Sequence, residues 1–301
     1  RLSFSDPGRR QEGMRGTIET WLDELIERVG EARSSEAFRE WLDVQSRFHD
    51  YSYRNTLLIK LQCPGATRVA GYRTWQDEFD RQVEDGAEAI WIWAPIVTQR
   101  CPDCEQSRRD HEGADCDYDE TPPEEWPEGV VGFKPVPVFD VSQTEGEPLP
   151  ELETAAAGDG DALLEQLLDH AGATMAEVRV VPADDWSHGD AEGVCSWPDG
   201  PEGDPVIELR DRADTAAAAG TLLHELAHAR LHAGVSDPGE RSKREVEAEA
   251  VAYIVGRYFG LDTANSAFYL AAWADDERDA IADRMDRISS TAEALIETID
   301  G

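Results

Sequence analysis

Residues 214–234, DTAAAAGTLLHELAHARLHAG, decide the fold of the second half of this chain. The segment begins with Asp214, a residue type that caps helix N-termini, continues with strong helix formers and reaches Gly234, which is typical of a helix end. It therefore predicts one long helix. His224 and His228 are four residues apart on that helix and project from one face, an arrangement that binds a single Zn²⁺.

Glu225, which follows the first histidine, is the predicted catalytic residue. Zinc lowers the pKa of a bound water towards about 7, and Glu225 can then accept the water proton as general base. The strand predicted at 205–209 would be a sheet edge to which an extended peptide adds. In the alternative interpretation the histidines merely pack an amphipathic helix, but the leucines of this segment already supply a core face.

A third zinc ligand is predicted on the next helix, residues 242–260. Glu245 and Glu249 share one face at i,i+4 spacing, whereas Glu247 points roughly 160° away from Glu249. We expect Glu245 to be the ligand and Glu249 to support it from the second shell. Two alternatives stay open: Glu249 is itself the ligand, or Glu245 forms a capping box with Ser242.

Three further residues have less specific predicted roles. His232 continues the histidine stripe by one turn, and we expect it at the helix end or behind a ligand. Tyr253 and His188 are alternative stabilisers of a transition state, although packing explains both equally well.

The pattern His224-Glu-Leu-Ala-His228 followed by Glu245-Val-Glu-Ala-Glu249 resembles the ImmA/IrrE family of metallopeptidases over residues 162–260. The resemblance implies a zincin fold, a gluzincin-like zinc centre and cleavage of a specific regulatory protein, such as a transcriptional regulator. Glu249 stands where the family usually has Asn.

Residues 51–76 form a basic and aromatic stretch in the first half. They contain no Asp or Glu and carry a charge of +4. Cations interleaved with aromatic rings suit single-stranded nucleic acid, whose phosphates pair with the cations and whose bases stack on the rings. The alternative is a packed helix and turn whose aromatic residues are core. The predicted DNA-contacting residues are Arg54, Lys60, Arg68, Arg73, Tyr72 and Trp75.

The strings Tyr51-Ser-Tyr-Arg-Asn-Thr-Leu-Leu-Ile59 and Ala66-Thr-Arg-Val-Ala-Gly-Tyr-Arg-Thr-Trp-Gln76 resemble the N-terminal domain of the ArdC antirestriction family. The likeness covers residues 17–100 and 129–146 and implies single-stranded DNA binding. Residues 83–89 are acidic where that family has a basic glycine-rich turn. The resemblance also supports an alternative function, a non-proteolytic DNA-binding antirestriction protein that uses the zincin fold as a scaffold.

A second metal site is predicted from the cysteines. Cys101 and Cys104, followed by His111 and Cys116, have the spacing Cys-x2-Cys-x6-His-x4-Cys. This spacing is typical of a closed structural zinc site. The alternative is a reduced surface loop. The sequence thus predicts one catalytic and one structural Zn²⁺.

Composition indicates the environment of the protein. Its 64 acidic and 28 basic residues give a net charge of −36, spread along the whole chain. Such an acidic surface resembles that of haloarchaeal proteins and suits molar salt. An unusually acidic mesophilic protein is the alternative. No segment predicts a membrane span or a signal peptide, so we expect a cytoplasmic protein without a membrane partner.

These patterns predict an α+β chain of two domains. Residues 130–141 predict a strand pair broken at its two prolines. The predicted parts are a polar tail (1–16), an ArdC-like α+β domain (17–150) with a cysteine-rich insertion (101–128), a linker (151–161), and a zincin-like metallopeptidase domain with a small mixed sheet (162–301).

Overall fold

The computed structural model describes residues 3–28, 31–111, 116, 118, 120–149, 160–200, 202–233, 237–264 and 266–300. The fold is α+β and divides into two compact units. Unit 1 consists of Arg1–Thr17 and Leu58–Pro148, and unit 2 consists of Ile18–Leu57 and Leu149–Gly301.

Helices and strands are interspersed along the described part of the chain. The helices are α1 (Arg10–Glu27), α2 (Ala32–Arg47), α3 (Tyr53–Gln62), α4 (Tyr72–Asp77), α5 (Arg108–His111), α6 (Gly160–Thr174), α7 (Thr215–Leu231), α8 (Arg241–Tyr258) and α9 (Arg278–Asp300). The strands are β1 (Val69–Ala70), β2 (Arg81–Val83), β3 (Ile90–Gln99), β4 (Glu128–Asp140), β5 (Thr144–Gly146), β6 (Glu177–Val181), β7 (Gly193–Ser196) and β8 (Val206–Arg210).

Unit 1 is built on the antiparallel hairpin of β3 and β4. Its larger sheet has the order β1-β4-β3, and β2 pairs with β5 in a second, two-stranded sheet. The hairpin tolerates Pro135 and Pro137, which lie opposite Trp93 and Trp91. The backbone N–H and carbonyl of Trp91 bond the side chain of Gln62 instead of β4, so a proline opposite Trp91 removes no ladder bond. The predicted break at the prolines is therefore wrong, because β4 is one continuous strand.

Asp140 fixes the carboxyl end of β4. Its carboxylate accepts hydrogen bonds from the backbone N–H groups of Thr67, Arg68 and Ser142. Burial acts to raise the pKa of this carboxyl, but the bonds from Ser142, Thr67 and Arg68 lower it overall. The loop before β1 is thereby tied to the end of the hairpin.

Unit 2 has a three-stranded mixed sheet of order β6-β8-β7, in which β6 and β8 are parallel and β7 and β8 antiparallel. The small mixed sheet was predicted. The sequence placed residues 205–209 at the sheet edge, but β8 is the central strand, and β7 is the edge strand that packs on α7.

Helices α6, α8 and α9 surround α7, whose apolar face is fully buried. An aromatic cluster fastens α2 to the same unit, because the ring of Phe38 contacts those of Trp41, Phe268 and Trp273. Residues 18–57 therefore group with unit 2, whereas the predicted domain limits placed them in the N-terminal half.

Two predicted segments differ from the structure or lie outside it. The predicted polar tail, residues 1–16, contains the start of α1 at Arg10. Of the predicted linker, residues 151–159 lie outside the described residues. No helix in the described part of the chain is long and apolar enough to cross a membrane.

Candidate metal centre

Helices α7 and α8 carry the predicted ligands. The Asp214 side chain accepts a hydrogen bond from the backbone N–H of Ala217, so the helix cap expected at the start of α7 is present. The predicted stop at Gly234 lies outside the described residues. Helix α8 begins at Arg241 without a side-chain cap, which places Ser242 inside the helix. Glu245 is therefore not held in a capping box.

The ligating atoms of His224, His228 and Glu245 converge. The two histidine Nε2 atoms are 3.1 Å apart, and Oε2 of Glu245 is 3.4 Å from the Nε2 of His224 and 3.5 Å from that of His228. Around a tetrahedral ion with metal–ligand distances of about 2.0–2.1 Å, neighbouring ligand atoms are about 3.3–3.4 Å apart. The spacing of these three atoms therefore fits a metal ion.

Glu249 contacts His224 on the Nδ1 side of its ring. Its Oε2 lies 3.3 Å from Nδ1 of His224, on the side of the ring away from Glu245. A carboxylate only accepts hydrogen bonds, so neutral His224 keeps its proton on Nδ1 and presents a lone pair at Nε2. Glu249 thus lies on the Nδ1 side of His224, whereas Glu245 lies on the Nε2 side.

His232 contacts His228 on the Nδ1 side of its ring. Its Nδ1 lies 2.9 Å from Nδ1 of His228, and its Nε2 lies 3.0 Å from Oε2 of Glu247. Glu247 is fully buried, and its Oε1 accepts hydrogen bonds from both Arg284 and Arg287. Behind the ligands there is therefore a continuous polar chain that runs from α7 through α8 to α9.

The protonation of the centre also indicates a cation site. Burial acts to lower the pKa of His224, but hydrogen bonds with Glu245 and Glu249 raise it to about 9. The Glu245 carboxyl has its pKa lowered, chiefly by hydrogen bonds with His224 and His228. Burial lowers the pKa of His232, which keeps that ring neutral. The carboxylates around His224 thus stabilise one positive charge, which a proton or a metal ion can supply.

Glu225 lies between α7 and the edge strand β7. It is buried, and burial raises its pKa. The backbone N–H of Cys195 donates a hydrogen bond to its carboxylate. A Cβ atom on Gly193 would lie 2.7 Å from Cγ2 of Thr221 and 2.9 Å from Cγ of Glu225. Glycine at this position therefore lets β7 approach Glu225 closely.

A cleft of about 640 Å³ opens beside His224 and Glu225. Among the described residues that line it, Arg212 is the only arginine or lysine, and its guanidinium bonds Glu192 and Thr221. Its acidic lining residues are Glu192, Asp214, Glu225, Glu249 and Asp262. The cleft is therefore strongly acidic.

The two predicted transition-state stabilisers are both engaged elsewhere. Tyr253 lines the cleft, but its hydroxyl donates to Asp43 at 2.7 Å. His188 lies on the loop after β6, with Nε2 2.8 Å from Oε2 of Glu208. Both side chains are thus hydrogen-bonded to carboxylates other than Glu245.

The cysteine cluster of unit 1 forms a second convergent set. The Sγ atoms of Cys101 and Cys116 are 3.9 Å apart, and Sγ of Cys104 is 3.3 Å from Nδ1 of His111. A hydrogen bond from the Tyr118 backbone acts to lower the pKa of Cys116, but burial and bonding to Cys104 and Cys101 raise it to about 11. One ligand atom of each of these four residues lies within 4.8 Å of the others, so the set could hold a metal ion that displaces the thiol protons.

The predicted DNA-contacting residues divide between the units. Trp75 is buried and donates from Nε1 to the carbonyl of Phe139, so its ring belongs to the core and is not a stacking surface. Tyr72 is 45% exposed, and Arg73 next to it is exposed as well. Lys60 and Arg68 are half-buried in unit 1. Arg54 lies in unit 2, where it stacks on Tyr53 and pairs with Asp286.

The buried chain behind His228 was largely missed from the sequence. Glu247 was placed on the face away from Glu249, and the structure shows that this face is buried. Its main partner, Arg284, lies thirty-seven residues further along the chain, on α9. The signal in the sequence was the position of Glu247 within an apolar face of its helix. A carboxylate that is buried in this way needs a cationic partner.

No family model matches this chain. An uncharacterized Bacillus anthracis protein, pXO2-81, is 26% identical over 299 residues, which cover 89% of this chain and 48% of the relative. The chain thus spans about half the length of the curated relative it matches.

Two crystal structures of the antirestriction protein ArdC from plasmid R388 are similar to this chain. The Mn(II)-bound structure has a TM-score of 0.54 and 18% identity, and covers 94% of this chain and 96% of ArdC. The metal-free structure has a TM-score of 0.47 and 19% identity, with 82% and 84% coverage. The likeness to the Mn(II)-bound structure confirms the predicted ArdC-like fold.

Proposed function

We propose that this chain is a DNA-binding protein of the antirestriction type that holds one metal ion on His224, His228 and Glu245. The observation that carries the proposal is the convergence of three ligand atoms at 3.1–3.5 Å, the spacing of a tetrahedral site. Support comes from the fold, which is similar to that of an Mn(II)-bound antirestriction protein along 94% of this chain.

The donor set fits either of two ions. Two imidazoles and one carboxylate suit Zn²⁺, and the same nitrogen and oxygen donors accept Mn²⁺. We propose Zn²⁺ for this site and a second, structural Zn²⁺ for Cys101, Cys104, His111 and Cys116. Thiolate ligands select zinc over manganese, so the two sites should differ in their selectivity.

DNA binding is assigned to unit 1. Tyr72 and Arg73 are exposed as neighbours on α4, and on β4 the ring of Phe133 is 60% exposed. An exposed ring beside a cation suits stacking of a single-stranded base with a nearby phosphate. The acidic cleft of unit 2 would repel the DNA backbone.

Fluorescence anisotropy with a labelled single-stranded oligonucleotide tests this assignment. Phe133→Ala should weaken binding by about 1–3 kcal/mol, the usual contribution of one stacked base. Val130→Ala, which removes a smaller exposed apolar side chain from the same strand, is the matched control. No binding by the wild type at moderate KCl, or an equal effect of both substitutions, would refute the assignment.

A zinc-dependent endopeptidase is the second candidate function, and the position of Glu225 favours it. A zinc ion in the centre would activate water and polarise a peptide carbonyl. Glu225, which is adjacent in sequence to His224 and buried at the cleft, would then accept the proton of that water as general base. The edge strand β7 beside it offers backbone groups to an extended peptide. The ImmA/IrrE likeness of residues 162–260 belongs to this candidate, with a transcriptional regulator as the proposed substrate.

Glu225→Gln distinguishes the two functions, because the amide is isosteric but cannot act as a base. The antirestriction proposal expects this variant to bind metal and DNA, and to protect unmodified DNA from a restriction endonuclease, as well as the wild type does. The peptidase candidate expects unchanged binding of metal and DNA but loss of peptide cleavage. His228→Asn is the control that removes a ligand.

The acidic composition supports a further part of the proposal, a protein adapted to high salt. The charge of −36 requires screening if the chain is to remain compact, and molar salt provides it.

A further inference from the structure

Behind His228, a buried series of hydrogen bonds runs through His232 and Glu247 to Arg284 and Arg287. The chemistry of these groups fixes which atom donates and which accepts in each bond. Oε1 of Glu247 accepts from Nη1 of Arg284 and from Nη2 of Arg287, each at 2.6 Å. Two guanidinium donors on a fully buried carboxyl keep it ionised, so its other oxygen, Oε2, can only accept a hydrogen bond.

The acceptor-only oxygen of Glu247 also fixes the direction of the next hydrogen bonds in this series. Because Oε2 of Glu247 only accepts, Nε2 of His232 must carry the proton in their 3.0 Å hydrogen bond. Nδ1 of a neutral His232 is then an acceptor, and the 2.9 Å contact requires Nδ1 of His228 to donate to it. The remaining nitrogen of His228, Nε2, is left with a lone pair that faces His224 and Glu245.

We propose that His232 and Glu247, held by Arg284 and Arg287, are positioning residues that lock His228 into its metal-binding tautomer. The inference rests on the proposed metal centre and extends it by naming the residues that prepare one ligand before the ion arrives. A bond that orients a histidine ligand and fixes its tautomer typically raises metal affinity by about 10- to 100-fold.

The isosteric variant Glu247→Gln should exchange donor and acceptor in each hydrogen bond from residue 247 through His232 to His228. Both arginines donate to the Oε1 position, so the amide oxygen should stay there and the amide NH₂ should face His232. His232 must then accept at Nε2 and donate from Nδ1, which leaves the proton of His228 on Nε2, the atom that should bind the metal. We expect Mn²⁺ affinity to fall by about 10- to 100-fold.

Substitutions of His232 separate hydrogen bonding from packing. Asn at this position offers an oxygen acceptor near the place of Nδ1, whereas Leu has a comparable volume but no acceptor. His232→Asn should retain most of the affinity, and His232→Leu should lose as much as Glu247→Gln. Glu240→Gln is the matched control, because Glu240 bonds Arg284 but does not contact His232.

The experiment uses the full chain with Mn²⁺ as the probe, since the thiolate site binds this ion poorly. Free Mn²⁺ is measured by electron paramagnetic resonance during titration. In parallel, two-bond ¹H–¹⁵N spectra of the metal-free proteins report which nitrogen of each histidine is protonated. The expected result is His228 protonated on Nδ1 in the wild type and on Nε2 in Glu247→Gln, with affinity lost as described.

The possible results distinguish failure of the tautomer inference from failure of the proposed metal centre. Wild-type affinity in Glu247→Gln and His232→Leu, or a wild-type His228 protonated on Nε2, would overturn the inference and leave the metal centre standing. If the wild type binds neither Mn²⁺ nor Zn²⁺, the proposed metal centre fails, and the tautomer spectra alone decide the inference. A variant that does not fold is replaced by the remaining one, because either Glu247→Gln or His232→Leu is sufficient.

Discussion

At the scale of single residues, the metal centre depends on which oxygen and nitrogen atoms face one another. Glu245 and Glu249 are both carboxylates on the same face of α8, yet they contact opposite nitrogens of His224. Glu245 also reaches Nε2 of His228. In the proposed metal centre this difference makes Glu245 the ligand and Glu249 the residue that supports the His224 ring.

The two glutamates should therefore respond differently to the same change. Glu249→Gln should weaken metal binding by the roughly 10- to 100-fold typical of an outer partner. Glu245→Gln should weaken it further, because it removes a charged ligand. Titration with Mn²⁺, which the thiolate site binds poorly, measures both variants, with Glu240→Gln as the control. A larger loss in Glu249→Gln than in Glu245→Gln would exchange the two roles.

Helix α7, strand β7 and the hairpin of β3 and β4 show what sequence predicts at the scale of elements. The helix was predictable because its cap, helix formers and histidine spacing all act within one segment. The position of β7 at the sheet edge was not, because strand order depends on pairing between distant segments. The continuity of β4 was hidden for a similar reason, since it depends on Gln62 of α3 bonding the strand opposite the prolines.

The close packing of β7 on α7 leads to a test at a glycine. Gly193→Ala places a methyl group 2.7 Å from Thr221 and 2.9 Å from Glu225, so the strand or the side chains must move. We expect a loss of about 1–3 kcal/mol in the free energy of unfolding, as for other overpacked sites.

Gly220→Ala, on the helix α7 against which β7 packs, is the control for Gly193→Ala. A Cβ at Gly220 meets nothing within 4 Å, and alanine in a helix interior should stabilise by about 0.5–1 kcal/mol. Urea denaturation followed by circular dichroism measures both variants. Equal stability of Gly193→Ala and the wild type would contradict the packing described for β7.

At the scale of the whole molecule, charge is the dominant feature. A net charge of −36 on 301 residues acts against compaction at low ionic strength. The composition was fully readable from sequence, whereas the grouping of residues 18–57 with unit 2 was not, because it depends on contacts between Phe38 and residues more than two hundred positions away.

Salt should therefore stabilise the fold. As the Debye length falls from about 10 Å at 0.1 M to about 3 Å at 1 M, repulsion among surface carboxylates is screened and the thermal midpoint should rise. Thermal unfolding across a KCl series measures this effect, and an equal osmolality of sucrose controls for solvent exclusion. A midpoint independent of KCl would contradict adaptation to high salt.

A count of bound metal ions shows whether His224, His228 and Glu245 hold one of them. The chain is loaded with Zn²⁺, freed of excess by gel filtration and analysed by plasma mass spectrometry. We predict that His228→Asn and Cys104→Ser each bind one zinc ion fewer than the wild type, while Glu225→Gln binds as many. An unchanged zinc count in His228→Asn would show that these three residues do not hold a metal ion.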